Sequence, residues 1–209
     1  MTLPPAKPLP PGLRVVPLVG AAAAPHLPAL ARLRIEVFRE WPYLYDGTEA
    51  YEQKYLRTFL ATPGALLVAV FDGAEVVGAS TAMPMEHAQP EFRAPFDAAG
   101  LDSAEWFYFP ESVLRAGWRD RGIGHHFFVE RERHALTFPR VRNAAFCAVE
   151  RPTGHPLRPA GHRDLYDYWN RRGYVKRPEF TTTFRWRDID GPDETAKTMT
   201  FWVKALRGG

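Results

Sequence analysis

Apolar residues recur along this chain in two periods, and the segments they mark alternate in order. Leu13 to Leu18 predicts a first strand. From Pro25 to Arg39, Leu27, Leu30, Leu33, Val37 and Phe38 fall at near-helical spacing. Trp41-Pro42 ends that helix, because the residue before a proline avoids the α region. Tyr43 to Gly47 reads as an aromatic-rich loop. Thr48 to Leu60 predicts a second helix with Tyr51, Tyr55, Leu56, Phe59 and Leu60 on one face, and Pro63-Gly64 stops it. Leu66 to Phe71 is a nearly unbroken apolar run, hence a buried strand. Asp72-Gly73 is a hairpin signal, and Glu75 to Met83 is the returning strand.

Glu86 to Asp102, rich in Pro and Ala, reads as irregular. Trp106 to Leu114 is the next strand, with Pro110 at a bulge or edge. A helix follows from His125 to Leu136, then a strand from Asn143 to Val149. Arg151 to Gly161 is a loop. Arg163 to Arg172 predicts a helix with Leu165, Tyr168 and Trp169 at i, i+3 and i+4, stopped by Gly173. Phe180 to Trp186 and Lys197 to Leu206 alternate with the period of half-buried strands. The order is β-α-α-β-β-β-α-β-α-β-β, without an internal repeat.

Composition narrows the class. The 209 residues suit one domain from residue 13 onward, with 45% apolar residues for its core. Residues 1 to 12 are Pro-rich and read as a flexible tail. A net charge of +3 is too mild to argue for nucleic acid. No apolar run approaches the ~20 residues of a membrane span. The single cysteine, Cys147, excludes an intrachain disulfide and fits a reducing, cytoplasmic setting. The seven histidines show no metal-ligand spacing, so no metal is expected.

The candidate chemistry lies in Arg119-Asp120-Arg121-Gly122-Ile123-Gly124, between a strand and a helix. Unpaired N–H groups at a helix start favour an anion, and glycines let the backbone approach it. Gly117 and Gly122 have the first spacing of a P-loop, but Ile123 and Gly124 stand where Lys and Ser/Thr belong. Phe127 stands where a dinucleotide fingerprint needs its third glycine. What remains is Arg-x-x-Gly-x-Gly.

That motif resembles the acyl-coenzyme A loop of the GNAT superfamily of N-acyltransferases, and the element order from about 13 to 206 is similar to that fold. The resemblance implies an α+β, three-layer α/β sandwich: a mixed, mostly antiparallel sheet with helices on both faces. It implies acetyl-CoA as cosubstrate and transfer to a primary amine by direct attack. Leu114 and Arg115 would line the pantetheine arm, with one of their amides as oxyanion donor. Arg119, Asp120, Arg121, Gly122, Ile123 and Gly124 would hold the pyrophosphate, with the Asp120 side chain turned outward. Relatives are often homodimers.

Glu111 is the first candidate for a general base, or else a structural carboxylate paired to an arginine; Glu150 is the second. Family members often place an acid tyrosine four residues before a Gly-aromatic pair. Here that pair is Gly173-Tyr174 and the position holds Trp169. Tyr168 and Tyr166 are neighbours, but one residue on a helix turns about 100°, so either a differently placed tyrosine such as Tyr168 serves or the thiolate leaves without an acid. Tyr43, Tyr45, Asp46, Glu49 and Glu52 would line the site of a cationic small-molecule amine. Two alternatives stay open: an acyl-CoA sensor without transfer, and acetylation of a protein N-terminus or lysine.

Overall fold

The computed structural model describes residues 8–207. Its strands are β1 (Leu13–Val19), β2 (Leu66–Asp72), β3 (Glu75–Pro84), β4 (Trp106–Tyr108), β5 (Ser112–Leu114), β6 (Asn143–Val149), β7 (Val175–Arg187) and β8 (Glu194–Ala205). Its helices are α1 (Leu27–Phe38), α2 (Glu49–Leu60), α3 (Pro90–Ala98), α4 (Ile123–Ala135) and α5 (Tyr166–Arg171). The strands form one sheet in the order β1-β2-β3-β4-β6-β8-β7, with β5 paired to β3 beside that path. Among the described residues only the β4–β6 pair is parallel.

Side chains alternate across each strand, so the sheet has two apolar faces. One carries Val68, Phe107, Phe146 and Trp202 and is covered by α4 and α5. The other carries Leu67, Ala79, Tyr108 and Phe201 and is covered by α1, α2 and α3. This is the three-layer arrangement that the family resemblance implies.

Several expectations need correction. The 86–102 stretch contains α3, which starts on Pro90 and buries Phe96 against Trp106 and Phe201. Tyr51 is 51% exposed, so it leaves the inner face assigned to it on α2. Leu165 is 56% exposed and lies at the N-cap of a shorter α5. The first seven residues of the expected tail lie outside the described residues. Leu9, in its remainder, packs against the α4-side core.

The predicted 106–114 strand is two strands. Met83 pairs with Tyr108, and Ser80 pairs with Ser112. Between those pairs β3 supplies Thr81 and Ala82, while the other chain segment supplies Phe109, Pro110 and Glu111. One extra residue is a β-bulge, and Pro110 suits it because a proline has no N–H for the ladder.

Candidate active site

At the bulge the sheet opens. The Phe109 amide donates to Ala145 O at 2.9 Å. Beyond that bond β5 pairs only with β3, and β6 only with β8. In an antiparallel ladder, alternate residues turn their N–H and C=O away from the partner. Arg115 N donates to Val77 O and Thr81 N to Glu111 O, so Ser112 and Leu114 turn theirs outward. Glu150 N donates to Thr198 O, which turns Cys147 and Val149 outward from the other side. The wedge is therefore lined by backbone groups of Ser112, Leu114, Cys147 and Val149. Of the two oxyanion donors expected, the Arg115 amide is engaged by Val77, and the Leu114 amide faces the wedge.

The glycine loop ends at the same wedge. Gly122 is the N-cap of α4 with φ 81°, a conformation that costs a side chain but not glycine. Asp120 also has positive φ, at 60°, and is exposed, as is Arg121. Arg119 folds back: its Nη1 meets Glu40 at 2.7 Å and its Nε donates to Leu114 O at 3.0 Å. Arg115 pairs with Glu36 at 2.9 Å and with Glu75. These contacts tie the loop to Glu36, Glu40 and Glu75, and no atom lies within 4 Å of where a Cβ on Gly122 would stand. A Cβ on Gly124 would lie 3.1 Å from the Tyr168 hydroxyl. That hydroxyl is buried without a hydrogen bond, and burial raises it above the usual phenol range. Trp169 instead packs on Phe146 and Trp202, at ring distances of 4.9 and 5.0 Å.

Arg131 of α4, which no sequence signal singles out, lies under the bulge. It is 2% exposed. Its Nη1 donates to Glu111 O at 3.2 Å and its Nε to Phe127 O at 3.1 Å. The guanidinium lies over the Phe109 ring at 4.4 Å, and burial pulls it down to about 10. Among the described residues no carboxylate lies within ion-pair distance of it.

On the opposite face, Glu111 is paired to an arginine. Arg34 of α1 holds Glu111 and Glu52 on one guanidinium, and all three residues are buried. Burial alone would lower Arg34, but Glu111, Tyr55 and Glu52 outweigh it and leave it raised. The guanidinium stacks on Tyr55 at 4.5 Å and on Phe38 at 5.0 Å. Glu52, not Glu49, is the inward acid of α2: Glu49 is exposed one turn earlier. Burial, and then Glu52, raises the Tyr45 hydroxyl.

The 41–47 loop is strapped to the β7–β8 hairpin. Arg151 Nε donates to Pro42 O at 2.8 Å and Nη2 to Tyr43 O at 2.6 Å, while the same guanidinium grips both Asp188 oxygens at 2.8 and 2.9 Å. Ile189 N reaches Leu44 O at 2.8 Å, and Trp186 Nε1 reaches Tyr43 O at 3.0 Å. Burial would raise Asp188, but Arg151 and Lys197 hold it below the usual carboxyl value. Asp46 pairs with Arg39 and Arg187 on the rim. Glu150 pairs with Lys176 of β7 at 2.6 Å. Cys147 is buried at 3.2 Å from the Tyr108 hydroxyl, and burial pushes its thiol up to about 12. No group of three or more His, Cys, Asp or Glu among the described residues could hold a metal ion.

The architecture is that of GNAT acetyltransferases. An acetyltransferase from Thermus thermophilus is similar with TM-score 0.55, over 92% of this chain and 96% of its own, at 16% identity. Arabidopsis thaliana NAA60 in complex with acetyl-CoA is similar with TM-score 0.61, over 94% and 99%, at 13% identity. NAA60 with a bisubstrate analogue gives 0.58 over 93% and 99%, at 11% identity. At these identities the likeness carries the fold. No protein-family profile and no curated protein sequence matches the chain. No helix among the described residues is long and apolar enough to cross a membrane.

Proposed function

We propose that this protein is an acyl-CoA-dependent N-acyltransferase that moves an acetyl group from acetyl-CoA to the primary amine of a small molecule. The observation that carries the reading is the wedge: β5 leaves β6 beside the open, glycine-capped start of α4. An extended amide-bearing arm can pair with the outward backbone groups there as an added strand does. Its diphosphate then meets the free N–H groups from Gly122 to Gly124. The Leu114 amide is the donor for the thioester oxygen. Holding amine and thioester together and polarising the carbonyl supply most of the rate. Glu111 is the base within this frame, and Tyr168 sits by the coenzyme's diphosphate end rather than at the thioester.

The Arg151–Asp188 strap favours a small acceptor over a protein segment, because it closes the 41–47 loop onto the β7–β8 hairpin. A sensor without transfer is the second reading, favoured by the packed Trp169. Calorimetric titration with acetyl-CoA, free CoA and ATP tests the site, and thiol release with an amine panel separates the two readings. Binding of both coenzymes but not ATP, followed by amine-dependent thiol release, is expected. No heat from either coenzyme would overturn the assignment.

A further inference from the structure

A small pocket lies between α2 and α3 on the Glu111 face. It holds about 80 Å³ and is lined by Tyr55, Phe59, Met83, Phe92, Tyr108 and Pro110, among others. A cavity of about 150 Å³ accepts a benzene ring, so this one suits an alkyl group of about three carbons. Its walls are fixed. Phe92 lies between Tyr108 and Phe184, at ring distances of 5.0 and 5.5 Å, and Thr182 Oγ1 donates to Glu91 O at 2.6 Å.

Two residues join this pocket to the buried ion cluster. Tyr55 lines the pocket and stacks on Arg34 at 4.5 Å. Pro110 lines it and precedes Glu111 in the chain. Glu111 is only 8% exposed, yet its Oε1 accepts no hydrogen bond. Buried carboxylate oxygens are rarely left without a donor. The cluster also holds two carboxylates, Glu52 and Glu111, against the single guanidinium of Arg34. One further positive charge would balance it.

We propose that the pocket takes the aliphatic body of the acceptor and Glu111 its ammonium, so that the acceptor is a short aliphatic primary amine without a carboxylate. This rests on the acetyl-transfer reading above. An ammonium brings the missing charge and three N–H donors. An α-amino acid brings a carboxylate into the same low-dielectric space and is repelled. In the reaction one ammonium proton passes to Glu111 Oε1 and then to solvent. The amine lone pair attacks the thioester carbon, the C–N bond forms and the C–S bond breaks. The second proton leaves on the CoA thiol, and nothing is oxidised or reduced.

The test compares isobutylamine, ethylamine and leucine on the full chain. Binding is read by calorimetry in saturating free CoA, and turnover by thiol release from acetyl-CoA. Isobutylamine is expected to exceed leucine about a hundredfold in kcat/KM and to bind where leucine does not. Ala88→Leu narrows the pocket and is expected to cost isobutylamine about tenfold, chiefly through KM, so that ethylamine becomes the better substrate. The wild-type ratio stands on its own if that variant fails to fold. Leucine matching isobutylamine, or an unchanged size preference in a folded Ala88→Leu, would overturn the inference while leaving coenzyme binding intact. Failure of acetyl-CoA itself to bind would instead sink the transfer reading beneath it.

Discussion

The guanidinium of Arg131 lies 4.4 Å from the ring of Phe109, the residue whose amide makes the last hydrogen bond to β6 before the sheet opens. A buried cation without a carboxylate partner contributes little to stability, and an apolar side chain of similar length often replaces such a group at no loss. Arg131→Met is therefore expected to leave urea-unfolding stability within about 1 kcal/mol of the parent, or to raise it. Acetyl transfer should nevertheless fall about tenfold, since the bulge carbonyl at Glu111 loses the donor that fixes it. A loss of several kcal/mol would show that Arg131 is chiefly a structural group.

Gly122→Ala introduces a Cβ at φ 81° with open space around it, so the cost is conformational. About 1 kcal/mol is expected, a melting-point drop of about 2–4 °C for a domain of this size. The strained cap also disturbs the amides at the start of α4, and acetyl-CoA affinity should weaken about tenfold. Unchanged affinity in calorimetry would move the diphosphate away from this loop.

Arg34→Met leaves Glu52 and Glu111 buried without their cation. Removing one member of a buried ion cluster typically costs about 3–5 kcal/mol, which chemical denaturation would resolve. Adding Glu52→Gln and Glu111→Gln to Arg34→Met should recover most of that loss but not the transfer activity. A mild effect of the single change would mean that water reaches the cluster.

Very little of that cluster is legible in the sequence. Arg34 of α1, Glu52 of α2 and Glu111 of the bulge are far apart in the chain, and no spacing announces that they meet. Glu52 looks like one of two acids in the first turn of α2, yet it is the buried one while Glu49 stays outside. Arg131 sits in Glu130-Arg131-Glu132-Arg133, which reads as a solvated helix surface. The glycine loop is readable because its signal is local: two glycines and a helix start within six residues. Helix α3 escapes the sequence pattern because Pro90 and Pro95 look like breakers. Pro90 occupies the first turn, where no N–H is needed. Phe92 and Phe96, four residues apart, are the available clue.

Asp188→Asn weakens the grip of Arg151 on the β7–β8 hairpin while sparing the Arg151 bonds to Pro42 and Tyr43. Both side chains are largely buried, so a loss of about 2 kcal/mol is expected. Limited proteolysis should show faster cutting between Trp41 and Gly47, and larger amines should gain as substrates relative to small ones. Unchanged cutting would assign the loop's order to its backbone bonds, Ile189 N to Leu44 O and Asp46 N to Arg187 O at 2.9 Å.

Burial raises the hydroxyls of Tyr43, Tyr55 and Tyr108 and pushes the Cys147 thiol up to about 12. An unfolded chain loses these protons near their ordinary values of about 8.5 to 10 while the folded chain keeps them. The unfolded state then binds fewer protons, so stability falls as pH rises. The contribution is complete below about pH 8 and drains away above about pH 9. Calorimetric melting points should be flat from about pH 7 to 8 and fall steadily beyond about 9.5, with a shallower fall in Cys147→Ala. A flat profile to about pH 11 would mean that these groups are hydrated in the fold.

The bulge at Pro110 acts on parity. Tyr108 and Val113 are five residues apart, an odd number, yet both face the α1–α3 side; Phe109 and Leu114, also five apart, both face α4. A regular strand would put the members of each pair on opposite faces. Pro110 thus behaves like a half-step in a gear train, handing the carboxylate of Glu111 to the Arg34 side. Deleting that single residue would set Phe109 and Glu111 opposite Ala82 and Thr81 in a regular ladder, so every downstream side chain would keep its face and the kink that opens the sheet would be lost. The bulge swallows the odd residue, so the strand changes course while its two faces stay in step with β3.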